Sequence, residues 1–369
     1  MSLVPTEQVT STASRSPLFT LGVEEELFVV DSGSLLPVAY DDALLAGTRS
    51  GRGVITEELC DGVVELATPV CDDAVCAVAT LGGLRREVLC RQSDSLLGVG
   101  VHPSVGFGDV RHRASPHYDR VSHDTRSLLR QAAYCGVHVH VGMPDPETTI
   151  AAFNGMRKWV PVLQALSANS PFWHGQDSGL ASARTVLCHS VPRTGLPGAF
   201  RDWEDYAQTL ADLCRAAEVP DGQSVWWDIR PHPTLGTLEI RAVDAQSSLA
   251  DLTGLSALVH GLACHEALTQ DPHHARREVL QEASFRGLRD GIDATISLGG
   301  PLRSVRDYAR LAIDLARGYL DRPGGADGLE HVERILAEGN GALRQRRAFA
   351  AGGMPAVLAQ LRAETEAIA

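Results

Sequence analysis

The segment Gly136-Val137-His138-Val139-His140-Val141-Gly142 alternates with a period of two, the period of a β-strand. His138 and His140 therefore share one face and three valines the other. The same spacing recurs in further strand candidates: Glu24 and Glu26 within residues 19–31, Asp228 and Arg230 within 225–230, and Glu239 and Arg241 within 237–242. Glu65 stands alone in the otherwise apolar run 62–68. Solvent-exposed strand faces produce such pairs routinely. Here, however, Val, Ile and Leu flank the polar residues on both sides. Acids crowded onto a buried face repel one another and drift toward neutrality unless cations compensate.

Other elements follow from turn and cap signals. Asp72 or Asp73 can cap a helix running to about residue 91, residues 97–102 read as a buried strand, and Pro146 opens a long helix over 147–166. The strands 225–230 and 237–242, separated by a turn-prone stretch at 231–236, read as a hairpin. From residue 247 the pattern is helical, with breaks at 271–272, 299–301, 322–325 and 352–355. Early strands and hairpins followed by a helical C-terminal third predict an α+β fold with a largely antiparallel sheet. Its helices would cover one face and leave the other for a site.

Composition narrows the function. The formal net charge of −13 argues against nucleic acid or an anionic membrane as partner. Of the 33 basic residues only Lys158 is a lysine, and no Gly-rich loop precedes it, so a Walker-type phosphate loop is excluded. Lys158 reads as a solvated helix-face residue, and an anionic substrate must be held by arginines, metal ions or backbone amides. Eight cysteines without a Cys-x-x-Cys pair fit a reducing compartment, and Cys71 and Cys76 read as separate thiols. With no apolar leader or membrane-length stretch, the expectation is a cytoplasmic protein with a flexible N-terminal arm at 1–17.

Carboxylates with an imidazole and room for water suit Mg²⁺ or Mn²⁺ better than structural zinc, and arginine forks suit carboxylate or phosphate. That combination is what phosphoryl transfer from a nucleotide requires. The stretches Leu21-Gly22-Val23-Glu24-Glu25-Glu26, Val64-Glu65-Leu66-Ala67-Thr68-Pro69, Gly136 to Gly142, Ser167-Ala168-Asn169-Ser170-Pro171, Ser182-Ala183-Arg184, Trp227-Asp228-Ile229-Arg230-Pro231 and Thr237-Leu238-Glu239-Ile240-Arg241 occur in that order. In this the chain resembles the YbdK-type carboxylate-amine ligases, the glutamate-cysteine ligase type 2 family.

The resemblance implies a glutamine-synthetase-like fold whose curved, mainly antiparallel sheet forms an active-site funnel. It implies one ligase domain over 18–369, with the sheet and site in 18–270 and a mostly helical remainder. It further implies ATP-dependent activation of a glutamate-like carboxylate as an acyl phosphate for attack by a small amine, with a homo-oligomer left open. By similarity Glu24, Glu26, Glu65, His138 and Glu239 are metal ligands for Mg²⁺ or Mn²⁺, and Glu26 and Arg241 are catalytic. Arg184 and Arg230 contact nucleotide phosphate or substrate carboxylate, and His140 is ambiguous. Cys188 and Val191 stand where relatives often have aromatics, so substrate specificity does not carry over.

Three features read more plainly. Of Trp226 and Trp227, one at most faces a site. The pair His273-His274 reads as exposed loop, and residues 111–126 as a loop that either covers the site or is merely solvated. Two other functions stay open. His138-x-His140 resembles the metal motif of hydrolytic barrels, and a ligand-binding relative without turnover would keep the same fold.

Overall fold

The computed structural model describes residues 19–40, 44–45, 53–109, 111–113, 116–271, 274–320 and 325–368. The expected arm at 1–17 lies outside them, as do His273 of the histidine pair and most of the break at 322–325.

Seven strands form the main sheet: β1 (Leu21–Val30), β2 (Val54–Glu57), β3 (Val63–Ala67), β4 (Ser95–Leu97), β5 (Gly136–Gly142), β6 (Ile229–His232) and β7 (Thr237–Asp244). Their order is β6-β7-β5-β1-β3-β2, with β4 also paired to β1, and every pairing is antiparallel. The α+β class and helical C-terminal part stand. The curved sheet forming a funnel does not: the strand path is open, ending on the four-residue strands β6 and β2, and no pairing among the described residues closes it. Pro231 sits in edge strand β6, where the missing N–H costs no ladder bond.

The helices are α1 (Ala74–Arg91), α2 (Pro116–Thr125), α3 (Pro146–Met156), α4 (Val160–Ser167), α5 (Ala183–Cys188), α6 (Trp203–Ala217), α7 (Leu249–Thr269), α8 (Arg277–Asp290), α9 (Val305–Arg317), α10 (Leu329–Glu338) and α11 (Gly341–Glu366). Asp73 caps α1 by accepting from the Cys76 amide at 2.8 Å. The long helix expected over 147–166 is two, because Pro161 falls in the first turn of α4, where its missing N–H is tolerated, and not in a helix interior. Lys158 lies in that break, half-buried and paired with Glu266 at 3.0 Å, so it is not the solvated lysine expected.

One sheet face is apolar. Leu21, Val23 and Leu27 of β1, Val137, Val139 and Val141 of β5, and Leu238 and Ile240 of β7 pack under α1 and α7. Glu25 lies on this same face, fully buried, and Arg85 of α1 reaches it with a bidentate fork at 2.9 and 2.6 Å. The remaining Arg85 donors go to the carbonyls of Gln246 at 2.9 Å, Ser247 at 3.0 Å and Thr365 at 3.3 Å. On the opposite face β1 changes character along its length. Glu24 and Glu26 lead, then Phe28 and Val30 pack against Val357, Leu358 and Leu361 of α11.

His102 lies beside Phe28, fully buried. Its Nδ1 accepts from the Ser104 amide at 3.3 Å, so Nε2–H donates to the Leu35 carbonyl at 2.9 Å and the ring is neutral. Burial lowers its pKa from 6.5 to about 4. The unfolded chain takes up this proton first, so the contribution is present above pH 6.5 and lost as pH falls to 4. About 3 kcal/mol of stability should disappear across that window. Urea midpoints at the two ends check it: the acid loss should shrink by that amount in His102→Gln, and an equal loss in both proteins would assign it to other groups.

Candidate active site

The polar face gathers side chains from five strands. Registry places Glu24 opposite His138, Glu26 opposite Glu65, His140 opposite Glu239, and Glu239 opposite Arg230. His138 Nδ1 lies 3.2 Å from Glu24 and its Nε2 lies 4.0 Å from Glu26. His140 Nε2 lies 3.6 Å from Glu24 and 3.8 Å from Glu239. Metal-ligand residues expected from sequence thus come together, and His140 joins them.

Three groups bring ligand atoms within 4.8 Å of one another: Glu24, Glu65 and His138; Glu24, His140 and Glu239; and Glu26, Glu58 and Glu65. Glu58 was missed from sequence because it lies in the irregular link between β2 and β3, where no periodicity marks it. The donors fit a hard divalent cation. His140 Nδ1 is taken by Thr237 at 3.0 Å, while Nε2 is buried without a hydrogen-bond partner and faces the acids. Electrostatics agree. Burial and the charge of Glu65 push Glu58 up to about 7, and burial with the charges of Glu24 and Glu26 does the same to Glu65. Burial likewise raises Glu26, against the opposing charge of His138. Burial would raise Glu24 too, but the hydrogen bond to His138 and the closeness of both imidazoles, His138 and His140, hold it well below the ordinary range.

Two arginines grip Glu239. Burial opposes its ionisation, yet the charges of Arg241 and Arg230 keep it well below the usual carboxylate value. Arg230 also donates to the carbonyls of Val225 at 2.8 Å and Gly222 at 3.3 Å, which turns it toward the chain. Arg241 instead lines a cavity of about 300 Å³ together with Glu26, Glu58, His138 and Arg184. That volume accommodates a small ligand. Arg184 is buried with Nε unpartnered, and its guanidinium crosses Gly136 so closely that a Cβ there would stand 2.0 Å from Nη2. A side chain at 136 would have to displace the Arg184 guanidinium. The Arg184 backbone N–H donates to Ser170 Oγ at 3.1 Å, and Ser170 is held by Asp244, which accepts from Asn169 N at 2.9 Å, Ser170 Oγ at 2.7 Å and Ser182 Oγ at 2.9 Å. The Ser167–Pro171 and Ser182–Arg184 motifs are thus the scaffold of one arginine.

The opposite wall comes from α2 and α5. Tyr118 and Val121 line the cavity, so part of the 111–126 stretch covers the site. Trp226 faces the cavity under Arg193, and Trp227 packs on Phe200 in the core.

A face of carboxylates and imidazoles interleaved with arginines defines a site for oxyanions and the cations that accompany them. The chain belongs to the glutamate-cysteine ligase family 2, whose model matches residues 20–362. It is 30% identical over 358 residues to a glutamate–cysteine ligase of Haloquadratum walsbyi, covering 94% of this chain and 96% of that one. To the glutamate–cysteine ligase of Halobacterium salinarum it is 33% identical over 347 residues, covering 89% and 92%. The solved glutamate–cysteine ligase of Francisella tularensis, in complex with AMP, shares the fold at a TM-score of 0.72 and 13% identity, over 96% of this chain and 89% of that one. With this membership the chain is an ATP-dependent carboxylate-amine ligase. The hydrolase alternative falls accordingly: His138 and His140 lie on an interior strand of an antiparallel sheet, not in a barrel of strand–helix repeats. Among the described residues no helix is long and apolar enough to cross a membrane.

Proposed function

We propose that the chain joins the carboxylate of glutamate or a similar amino acid to a small amine through an acyl phosphate, using ATP with Mg²⁺ or Mn²⁺. The observation that carries this is Glu24, shared by two carboxylate–imidazole groups beside the orphaned His140 nitrogen. Glu24, Glu26, Glu65, His138 and Glu239 would hold the cations, with His140 and Glu58 completing the groups. A cation held there supplies charge neutralisation across the terminal phosphates. The rest falls to the chain's own side chains. Arg241, braced on Glu239 and open to the cavity, meets the charge that builds on the transferring phosphoryl group and then on the tetrahedral oxyanion. Arg184, with a free donor, binds a phosphate or the substrate carboxylate. Arg230 keeps Glu239 ionised and aimed. The names of the Haloquadratum and Halobacterium relatives support glutamate as the activated acid and cysteine as an amine to try first.

The test is nucleotide turnover with ATP, glutamate and cysteine. ADP and phosphate should appear only when both amino acids are present, vanish after exhaustive chelation and return on adding Mg²⁺. AMP and pyrophosphate as products, or full turnover after chelation, would overturn the reading.

A further inference from the structure

The cavity wall facing the acidic sheet carries a second pair of ionisable groups that the phosphoryl chemistry does not use. His189, just past the end of α5, places Nε2 2.9 Å from Asp228 Oδ1. Asp228 is 6% exposed, and its other oxygen accepts from Gln164 Nε2 at 3.4 Å; Gln164 is fixed in turn by Ser284 at 2.6 Å. The carboxylate is therefore held from behind and its free direction is the imidazole. Because Nε2–H donates to Asp228, Nδ1 carries the lone pair. It has no hydrogen-bond partner among the described residues, and His189 and Asp228 both line the cavity.

The position of this pair matches the second half of a ligation. Arg241 N–H donates to the Asp228 carbonyl at 2.8 Å, so the dyad and the Arg241 guanidinium hang on hydrogen-bonded neighbours. Arg184 is the charged group of α5 that acts on the imidazole, and Glu26, Glu58 and Arg241 line the same cavity. Glu58 belongs to a group that can hold a cation, as does His138, which leaves His189 as the imidazole outside those groups among the described residues that line the cavity. Burial lowers the imidazole pKa, but the charge of Asp228 and the hydrogen bond to it prevail, so its basicity is enhanced.

We propose that His189, oriented by Asp228, is the general base that frees the attacking amine. The proposal rests on the ligase reading above. The substrate ammonium gives one proton to His189 Nδ1, and the nitrogen lone pair forms the C–N bond at the acyl phosphate carbonyl. Collapse breaks the C–O bond to phosphate, which leaves with the electron pair and takes the second nitrogen proton. Protonated His189 returns its proton to solvent. Any amine that is cationic at neutral pH needs this step; hydroxylamine, whose nitrogen is unprotonated there, does not.

The experiment compares ADP release with cysteine and with hydroxylamine as acceptor, in wild type, His189→Gln and Asp228→Asn. His189→Gln should lose about a hundredfold in turnover with cysteine and only a few-fold with hydroxylamine. Asp228→Asn should show the same split with a smaller loss, and near-ultraviolet circular dichroism reports whether each variant is folded. Equal losses with both nucleophiles in folded protein would make the pair an architectural contact and overturn the proposal, as would unchanged turnover with cysteine. Wild type that releases no ADP with either acceptor would overturn the ligase reading itself.

Discussion

Glu24→Gln should reduce ADP release by a factor on the order of a hundred to a thousand, the range for losing one charge-stabilising group in a site. Glu24 supplies ligand atoms to two of the three groups on the sheet face, so one amide weakens both. Its ionisation is what the neighbouring imidazoles stabilise, and glutamine keeps the volume while giving up that charge. The expected signature is low turnover together with a raised Mg²⁺ requirement, in protein with an unchanged fold. Wild-type turnover at ordinary Mg²⁺ would remove Glu24 from the site.

The largest stability effect should come from the other face of the same strand. Arg85→Met leaves the Glu25 carboxylate fully buried and uncompensated, with three backbone carbonyls losing their donor. Breaking one side of such a pair costs about 3–5 kcal/mol. Adding Glu25→Leu should recover much of that, because removing both charges is far cheaper than stranding one. Urea denaturation of the two single variants and the double variant checks it. A double variant no more stable than Arg85→Met would mean that the carbonyl contacts, not the charge, dominate.

These two residues show what sequence could and could not reveal. Period-two spacing placed Glu24 with Glu26, His138 with His140 and Glu239 with Arg241, because alternation is a local property of any strand. The same alternation puts Glu25 on the apolar face, but its partner lies 60 residues away in a helix, and spacing does not see across that distance. Glu58 and His189 reach the cavity from an irregular link and a helix end, where no period marks a direction, and Tyr118 from the 111–126 stretch. The sheet's open path was equally hidden: alternation says which way side chains point and says nothing about whether edge strands meet. Pro161 was a visible helix boundary inside the expected 147–166 helix.

The Arg85 contacts also bear on the order in which the protein is made. One of its donors ends on Thr365, 280 residues further along the chain, and the Thr365 hydroxyl accepts from the Gly98 amide beside β4 at 2.9 Å. Strand β1, with Glu24 and Glu26, leaves the ribosome early, but the Arg85 hub behind it gains its last acceptor only when the last turn of α11 has emerged. A nascent chain halted anywhere before that turn carries Glu24 and Glu26 with the hub behind them incomplete. It should therefore be a client for chaperones rather than a partial catalyst.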